Sequence, residues 1–339
     1  VHLDQQLVQR LLALVVAPAE AGAAITAAAR VENLETAQLA AAARNVGYPV
    51  VGLVAGLSRA SGEWGGWTHW GATTQDIMDT ALVLQIRQGL ELLEQDLRSV
   101  SLQLRRLSQQ YRDTPMAGRT HLQHALPTTF GLKCAIWLGM VERNLERLQE
   151  LRPRVLVGQF AGAGGTLASL GTRGLEVQAA MMAQLRLGVP MTTWHTARDG
   201  LAETAQWLGL VTMSLGKMAF DVSLMMANEF SEVFEPFVQG RGASSTMPQK
   251  RNPISCEVMI GAAKTVRHLA GLALDGAVQD FERATGPWQA EWVALPEAFL
   301  HTAGSVAQAV FMLSGLEVDT VRMKHNLDST GGLIVAEAV

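Results

Sequence analysis

The sequence predicts an all-α protein, an elongated bundle of five long helices with smaller helical domains at its ends. Three observations carry this. Hydrophobic residues make up 48% of the 339 positions and aromatic residues only 6%, with Ala and Leu abundant. Ala and Leu are the strongest helix formers, whereas strands favour aromatic and β-branched residues. Apolar residues then recur at alternating spacings of three and four, and no strand-period alternation of useful length is present.

Residues 1–75 read as an N-terminal domain of short helices, punctuated by Pro18, by Gly47-Tyr48-Pro49 and by the turn region from Gly62 to Gly66. From Asp76 to about Arg112 only Gly89 weakens a helix. There Val83, Ile86, Leu90, Leu93, Leu97, Val100, Leu104 and Leu107 place their side chains on one seam. At about 1.5 Å per residue this helix is roughly 50 Å long. A second long helix is predicted from about Thr128 to Leu151, stopped by Pro153. A third runs from about Gly200 to Phe230, with a seam of Leu208, Val211, Leu215, Met218, Val222 and Met225. A fourth follows Pro253, and a fifth covers about Trp292 to Leu313. Core packing within one chain accounts for most of these stripes. Helices of this length also leave apolar surface for partner subunits.

The formal net charge of -4 gives no basic footprint for nucleic acid. No uninterrupted apolar run reaches membrane-spanning length; Leu11 to Ala29 comes nearest and is broken by Glu20. The start at Val1 has no signal-peptide layout and reads as lying inside a longer chain. Cys134 and Cys256 both fall in helical patterns, as buried thiols of a protein from the reducing cytoplasm. The eight histidines show no metal-ligand spacing such as His-Glu-x-x-His, so a bound catalytic metal is not expected.

Three polar segments interrupt the helical frame. The first, His69 to Asp76, has capping-box spacing between Thr73 and Asp76 where the first long helix begins. A helix start of this kind suits a carboxylate, although Thr73 and Thr74 could equally serve as caps alone. The second, Gly118-Arg119-Thr120-His121-Leu122-Gln123-His124-Ala125-Leu126-Pro127, is a short inter-helix connection rich in polar groups. The third, Gly242-Ala243-Ser244-Ser245-Thr246-Met247-Pro248-Gln249-Lys250-Arg251-Asn252-Pro253, brings hydroxyls, an ammonium and an amide together between prolines. Its small residues fit a loop that closes over a ligand, and mobility greater than that of the neighbouring helices is expected.

The third segment resembles the catalytic loop of the fumarase/aspartase superfamily, Gly-Ser-Ser-x-Met-Pro-x-Lys-x-Asn-Pro. The first resembles that superfamily's His-x-Gly-x-Thr-Ser-x-Asp, with Thr74 for Ser, and the second its Gly-Arg-Thr-His-x-Gln-x-Ala-x-Pro. The segments Phe160 to Gly171, Trp194 to Asp199 and Glu282 to Trp292 resemble the bacterial 3-carboxy-cis,cis-muconate cycloisomerase branch. Gly200 and Gln289 stand where that branch usually carries Arg and His, and His121 is retained where many of its members have Trp. The resemblance implies a homotetramer whose long helices merge in one central bundle, with active sites shared between subunits. It implies a central domain over residues 76–318 and the start of a C-terminal helical domain at residues 319–339.

The implied reaction converts 3-carboxy-cis,cis-muconate to 4-carboxymuconolactone, a carboxylate of the substrate adding to its own double bond. An adenylosuccinate lyase or a related fumarate-releasing lyase is the alternative. By the resemblance Ser244 transfers the proton, His121 is its partner and Lys250 stabilises charge. His69, Thr73, Thr74, Arg119, Thr120, Gln123, Ser245 and Asn252 bind the small polycarboxylate substrate. A serine hydroxyl is a poor base unaided, so Lys250 and loop closure would have to stabilise its alkoxide. No nucleic acid or membrane partner is expected.

Overall fold

A computed structural model describes residues 17–242, 247 and 250–338. The short N-terminal helices are α1 (Ala19–Ala28), α2 (Thr36–Val46) and α3 (Val50–Ala60). The first long helix, α4 (Thr74–Gln110), has 37 residues and is about 55 Å long at 1.5 Å per residue. A hairpin of β1 (Pro115–Thr120) and β2 (Gln123–Thr129) leads into α5 (Phe130–Val155). After α6 (Gly174–Leu185) come α7 (Asp199–Met225), β3 (Val233–Phe234), α8 (Ile254–Ala277), α9 (Pro287–Ser314), β4 (Glu317–Val318) and α10 (Thr320–Asp328). The protein is predominantly helical, as the composition requires.

The chain divides into two compact units. The first comprises Val1–Gln88, Arg152–Gly200 and Ala277–Thr285, and the second Gly89–Leu151, Leu201–Gly276 and Gly286–Val339. In the first, Val83 and Leu84 pack with Phe160, Met181, Met182 and Leu185, while Ile25, Ala28, Ala29 and Leu57 form a separate small core.

In the second unit the long helices touch at specific points. Ser101 of α4 donates to Glu142 of α5 at 2.5 Å. This bond, helped by Arg105, holds the Glu142 carboxyl below its ordinary range. Trp207 of α7 donates to the Asn144 carbonyl at 3.0 Å, and Asn144 to Ser214 at 3.0 Å. Gly216 lets α7 approach α8, since a Cβ there would lie 2.8 Å from that of Ala263. Gly89 serves α9 in the same way, because a Cβ would meet Phe299 at 2.8 Å. That contact explains a glycine in the middle of the longest helix.

Cys134 and Cys256 lie in α5 and α8 with no exposed surface. Burial pushes the Cys134 thiol up to about 12 and raises that of Cys256 as well. Among the described residues α7 is the one helix long and apolar enough to cross a membrane, and 50% of its apolar window is buried. Its buried side includes Leu208, Val211, Leu215, Met218 and Val222, the seam seen in the sequence.

Three expectations need correction. The chain contains strands: β1 pairs with β2 and β3 with β4, both antiparallel. Pro153 does not stop α5, which continues to Val155. In the last turn proline removes one donor and no further turn depends on it. Helix α7 ends at Met225 rather than near Phe230. The chain reverses there, with Ser231 at φ 50° and the Glu232 amide bonded to the Met225 carbonyl at 2.9 Å.

Leu97 is 1% exposed on the α4 seam. Leu97→Ala is expected to cost about 2–5 kcal/mol, the range for a truncated core leucine. Leu97→Asp should cost more, because an unpaired carboxylate is then buried. Urea unfolding with midpoints equal to wild type would contradict the placement of this seam.

Candidate active site

The chemistry-bearing segments fall in both units. In the first unit, His69 (φ 66°) and Gly71 (φ 77°) turn the chain into α4. The Thr73 amide donates to Asp76 Oδ2 at 2.9 Å, the acidic arm of the capping box, and Thr74 is the first residue of the helix. Thr73, Thr74 and His69 are partly buried. Burial lowers the His69 pKa, and the Asp76 charge opposes this in part.

Asp76 itself has no solvent exposure. Besides Thr73 it accepts from the amides of Ala161 and Gly162, each at 3.0 Å, and lies 2.7 Å from His195 Nε2. His195 Nδ1 is 2.8 Å from the Thr193 hydroxyl. One turn on, Asp79 takes a two-pronged bond from Arg198 at 2.7 and 2.9 Å, and Arg198 lies over the Trp194 ring at 5.0 Å. Arg283 donates to the carbonyls of Gly162 and Ala163 at 2.8 and 2.9 Å. Burial lowers its pKa, against the charges of Asp76 and Asp79. The glycine-rich segment from Phe160 to Gly171 therefore has two of its amides engaged by a carboxylate of the protein.

In the second unit, the segment expected to be a plain connection is the β1–β2 hairpin. Thr120 pairs with Gln123, so the loop is the two residues His121 and Leu122. Both have left-handed backbones, φ 51° and 64°. Such a two-residue turn matches strand twist but normally uses Asn and Gly. The turn carries strain and presents His121 to solvent, beside exposed Thr120 and Gln123. Arg119 points back into the protein, bonding Glu232 at 2.9 and 2.7 Å and covering the Phe230 ring at 4.6 Å. Asn326 of α10 also donates to Glu232, at 2.9 Å.

Ser244 and Ser245 lie outside the described residues. The base of their loop is closed by the Asn252 amide donating to the Gly242 carbonyl at 3.2 Å. Lys250 is exposed and Asn252 partly buried. Among the described residues no carboxylate pairs with the Lys250 ammonium. Arg251, between them, bonds both oxygens of Glu317 at 2.9 and 3.0 Å and the Glu235 carbonyl at 2.7 Å. Glu235 in turn accepts from the amides of Ser255 and Cys256 at 3.0 and 2.9 Å. The free amides at the start of α8 are thus filled by the protein's own carboxylate.

Asp79, His195, Arg198, Glu232 and Glu235 received no role from the sequence. One signal was present. Asp76 and Asp79 continue the seam of Val83 and Ile86 backwards at spacings of three and four. Carboxylates at core positions require buried partners, but nothing local names His195 or Arg198, each 119 residues away. Glu232 and Glu235 had no such pattern.

A family model described as lyase matches residues 5–267. The chain belongs to this family of lyases, within the fumarase/aspartase superfamily. A 3-carboxy-cis,cis-muconate cycloisomerase of Pseudomonas aeruginosa is 50% identical over 328 residues, covering 96% of this chain and 72% of that protein. Trans-aconitate decarboxylase 1 of Mycosarcoma maydis is 45% identical, covering 95% and 66%. The crystal structure of a 3-carboxy-cis,cis-muconate lactonizing enzyme from Pseudomonas putida superposes with a TM-score of 0.94 at 45% identity, covering 98% of this chain and 76% of that one.

Burial favours the neutral His69 ring, so the unfolded chain binds a proton more readily. The His69 contribution to stability is full above the ordinary histidine value of about 6.5 and is lost as pH falls through the depressed folded value. His69→Asn should flatten this part of the stability profile. Denaturant unfolding of both proteins at a series of pH values below neutrality checks it, and parallel curves would refute the burial argument.

Proposed function

We propose that the protein is a 3-carboxy-cis,cis-muconate cycloisomerase acting in the breakdown of aromatic compounds in the cytoplasm. Similarity over 96% of this chain and 72% of such an enzyme supports the activity. The observation that carries the chemistry is the Lys250 ammonium. Arg119 and Arg251 are each paired with a carboxylate of the protein, whereas Lys250, beside Asn252, is exposed with no carboxylate partner among the described residues. Of the motif cations Arg119, Lys250 and Arg251, it is thus the one available to a polycarboxylate.

In this reading a substrate carboxylate oxygen bonds to a carbon of the double bond, and the neighbouring carbon takes a proton, so the product is an isomer. Lys250 and Asn252 stabilise the extra negative charge on the carboxylate conjugated to that carbon. Ser244 transfers the proton, His121 is its partner, and His69, Thr73, Thr74, Thr120, Gln123 and Ser245 hold the substrate, while Arg119, expected from the sequence to join them, is paired with Glu232 and braces the hairpin instead. No metal or organic cofactor enters the scheme.

The working unit in this proposal is a homotetramer with active sites shared between subunits. The five long helices form its elongated central bundle within a domain of residues 76–318, flanked by domains at 1–75 and from 319 onward. Support comes from a groove of about 530 Å³ between α7 and α8, lined by Leu210, Met213, Phe220 and Ile260. Leu210, Met213 and Phe220 are 38%, 51% and 56% exposed and follow one helical stripe, as a face awaiting a second copy would. Light scattering should give a tetramer; a stable, fully active monomer would refute shared sites.

The activity is tested by following the absorbance of 3-carboxymuconate, with adenylosuccinate and trans-aconitate as comparators. Turnover of a comparator alone would overturn the assignment. Lys250→Met should lower kcat by about 100-fold or more, the scale for removing a transition-state charge partner. Ser244→Ala should lower kcat by a similar or larger factor with little change in KM, because the hydroxyl matters mainly in the transition state. Near-normal turnover by that variant would move proton transfer to His121, and His121→Asn should then remove one limb of the pH–rate profile.

A further inference from the structure

The chain on both sides of Asn252 and Pro253 is held by a single residue. Glu235, 5% exposed, accepts from the Ser255 and Cys256 amides through its two carboxylate oxygens, at 3.0 and 2.9 Å. Its backbone carbonyl accepts from Arg251 Nη2 at 2.7 Å. Glu235 directly follows β3, whose Phe234 pairs with Glu317 of β4, and Glu317 binds the same Arg251 guanidinium. The Phe234 and Phe237 rings lie 5.0 and 5.8 Å from that guanidinium. Arg251 is thus tied to both strands of the β3–β4 pair, while its neighbour Lys250 stays exposed with no carboxylate partner among the described residues. A carboxylate at this place also complements the positive end of α8 and occupies its free amides.

We infer that Glu235 is a positioning residue that fixes Lys250 and Asn252 for the reaction by clamping the segment from Arg251 to Cys256. It does not touch the substrate. The need for a carboxylate follows from its partners. Both its oxygens face N–H donors, so a glutamine would keep one bond and oppose its own amide hydrogens to the other donor. The segment would loosen while the fold stayed intact, and the groups it carries would lose alignment that matters most in the transition state.

The inference rests on the proposed reaction for its catalytic reading only. The test compares the full chain with its Glu235→Gln and Arg251→Gln variants by amide hydrogen exchange and by steady-state kinetics with 3-carboxymuconate. In each variant, exchange at Asn252, Ser255 and Cys256 should quicken by about tenfold or more while the long helices keep their protection. The kcat should fall by about tenfold or more with KM within about twofold of wild type, the pattern of a lost transition-state alignment. Unchanged exchange at those amides would overturn the inference, as would faster exchange with unchanged kcat. General loss of protection with normal turnover per active site would reduce Glu235 to a structural role and also overturn it. If Glu235→Gln does not fold, Arg251→Gln carries the test from the other grip. If the wild-type chain does not turn over 3-carboxymuconate, the functional proposal falls by itself, and exchange at Asn252, Ser255 and Cys256 decides the clamp.

Discussion

The first unit depends on one buried carboxylate. Asp76 has no exposed surface, and moving a charge of its kind out of water costs several kcal/mol. Three backbone amides and His195 offset that cost. Because those partners come from the turn before α4, from the loop at Ala161–Gly162 and from the segment before α7, the carboxylate makes the three into one rigid body. Asp79 and Arg198 repeat the arrangement one turn on, with both charges buried and paired. Removing either member would leave the other uncompensated, so the network is held together by the cost of breaking it.

The second unit uses carboxylates in the same manner. Glu232 fixes the hairpin through Arg119 and is itself held by Asn326, while Glu235 closes the start of α8. The grip on the hairpin and the grip on the loop thus stand three positions apart on one connector, with Val233 and Phe234 between them. In an extended chain an odd separation puts two side chains on opposite faces, which lets one short segment hold different elements on its two sides. The chemical consequence concerns charge. Each cation tied to a framework carboxylate is withdrawn from the field that a polyanionic ligand meets, so attraction is concentrated on the few cations left over.

The long helices were legible because their seams repeat over many turns, and a buried stripe of Val83 to Leu107 has no other regular solution. The hairpin was not legible. Its strands, Pro-Met-Ala-Gly-Arg-Thr and Gln-His-Ala-Leu-Pro-Thr-Thr, lack alternation and contain proline. The pair is held by tertiary contacts, with Ala117 buried against Leu327 and Ile334. At the site, the local half of the Asp76 network could be read from its spacing to Thr73. The distant half could not, since pairing across 119 residues leaves no periodic trace. The resemblance to known motifs supplied the candidate residues but was silent on what holds them.

Backbone strain links the two motif histidines. His69 and His121 both adopt left-handed conformations, at φ 66° and 51°. For residues other than glycine this costs about 1–2 kcal/mol each, so it persists only where the surroundings dictate it. At His69 the dictating contact is the anchored entry to α4, two residues from the Gly71 turn. At His121 it is the pairing of Thr120 with Gln123, braced from below by Arg119 and Glu232. In each case a buried carboxylate stands near the strained residue and stabilises the frame around it. The buried ion pairs and the strained turns are two parts of one arrangement, in which rigid electrostatics inside the protein hold exposed groups in positions that the local chain would not choose.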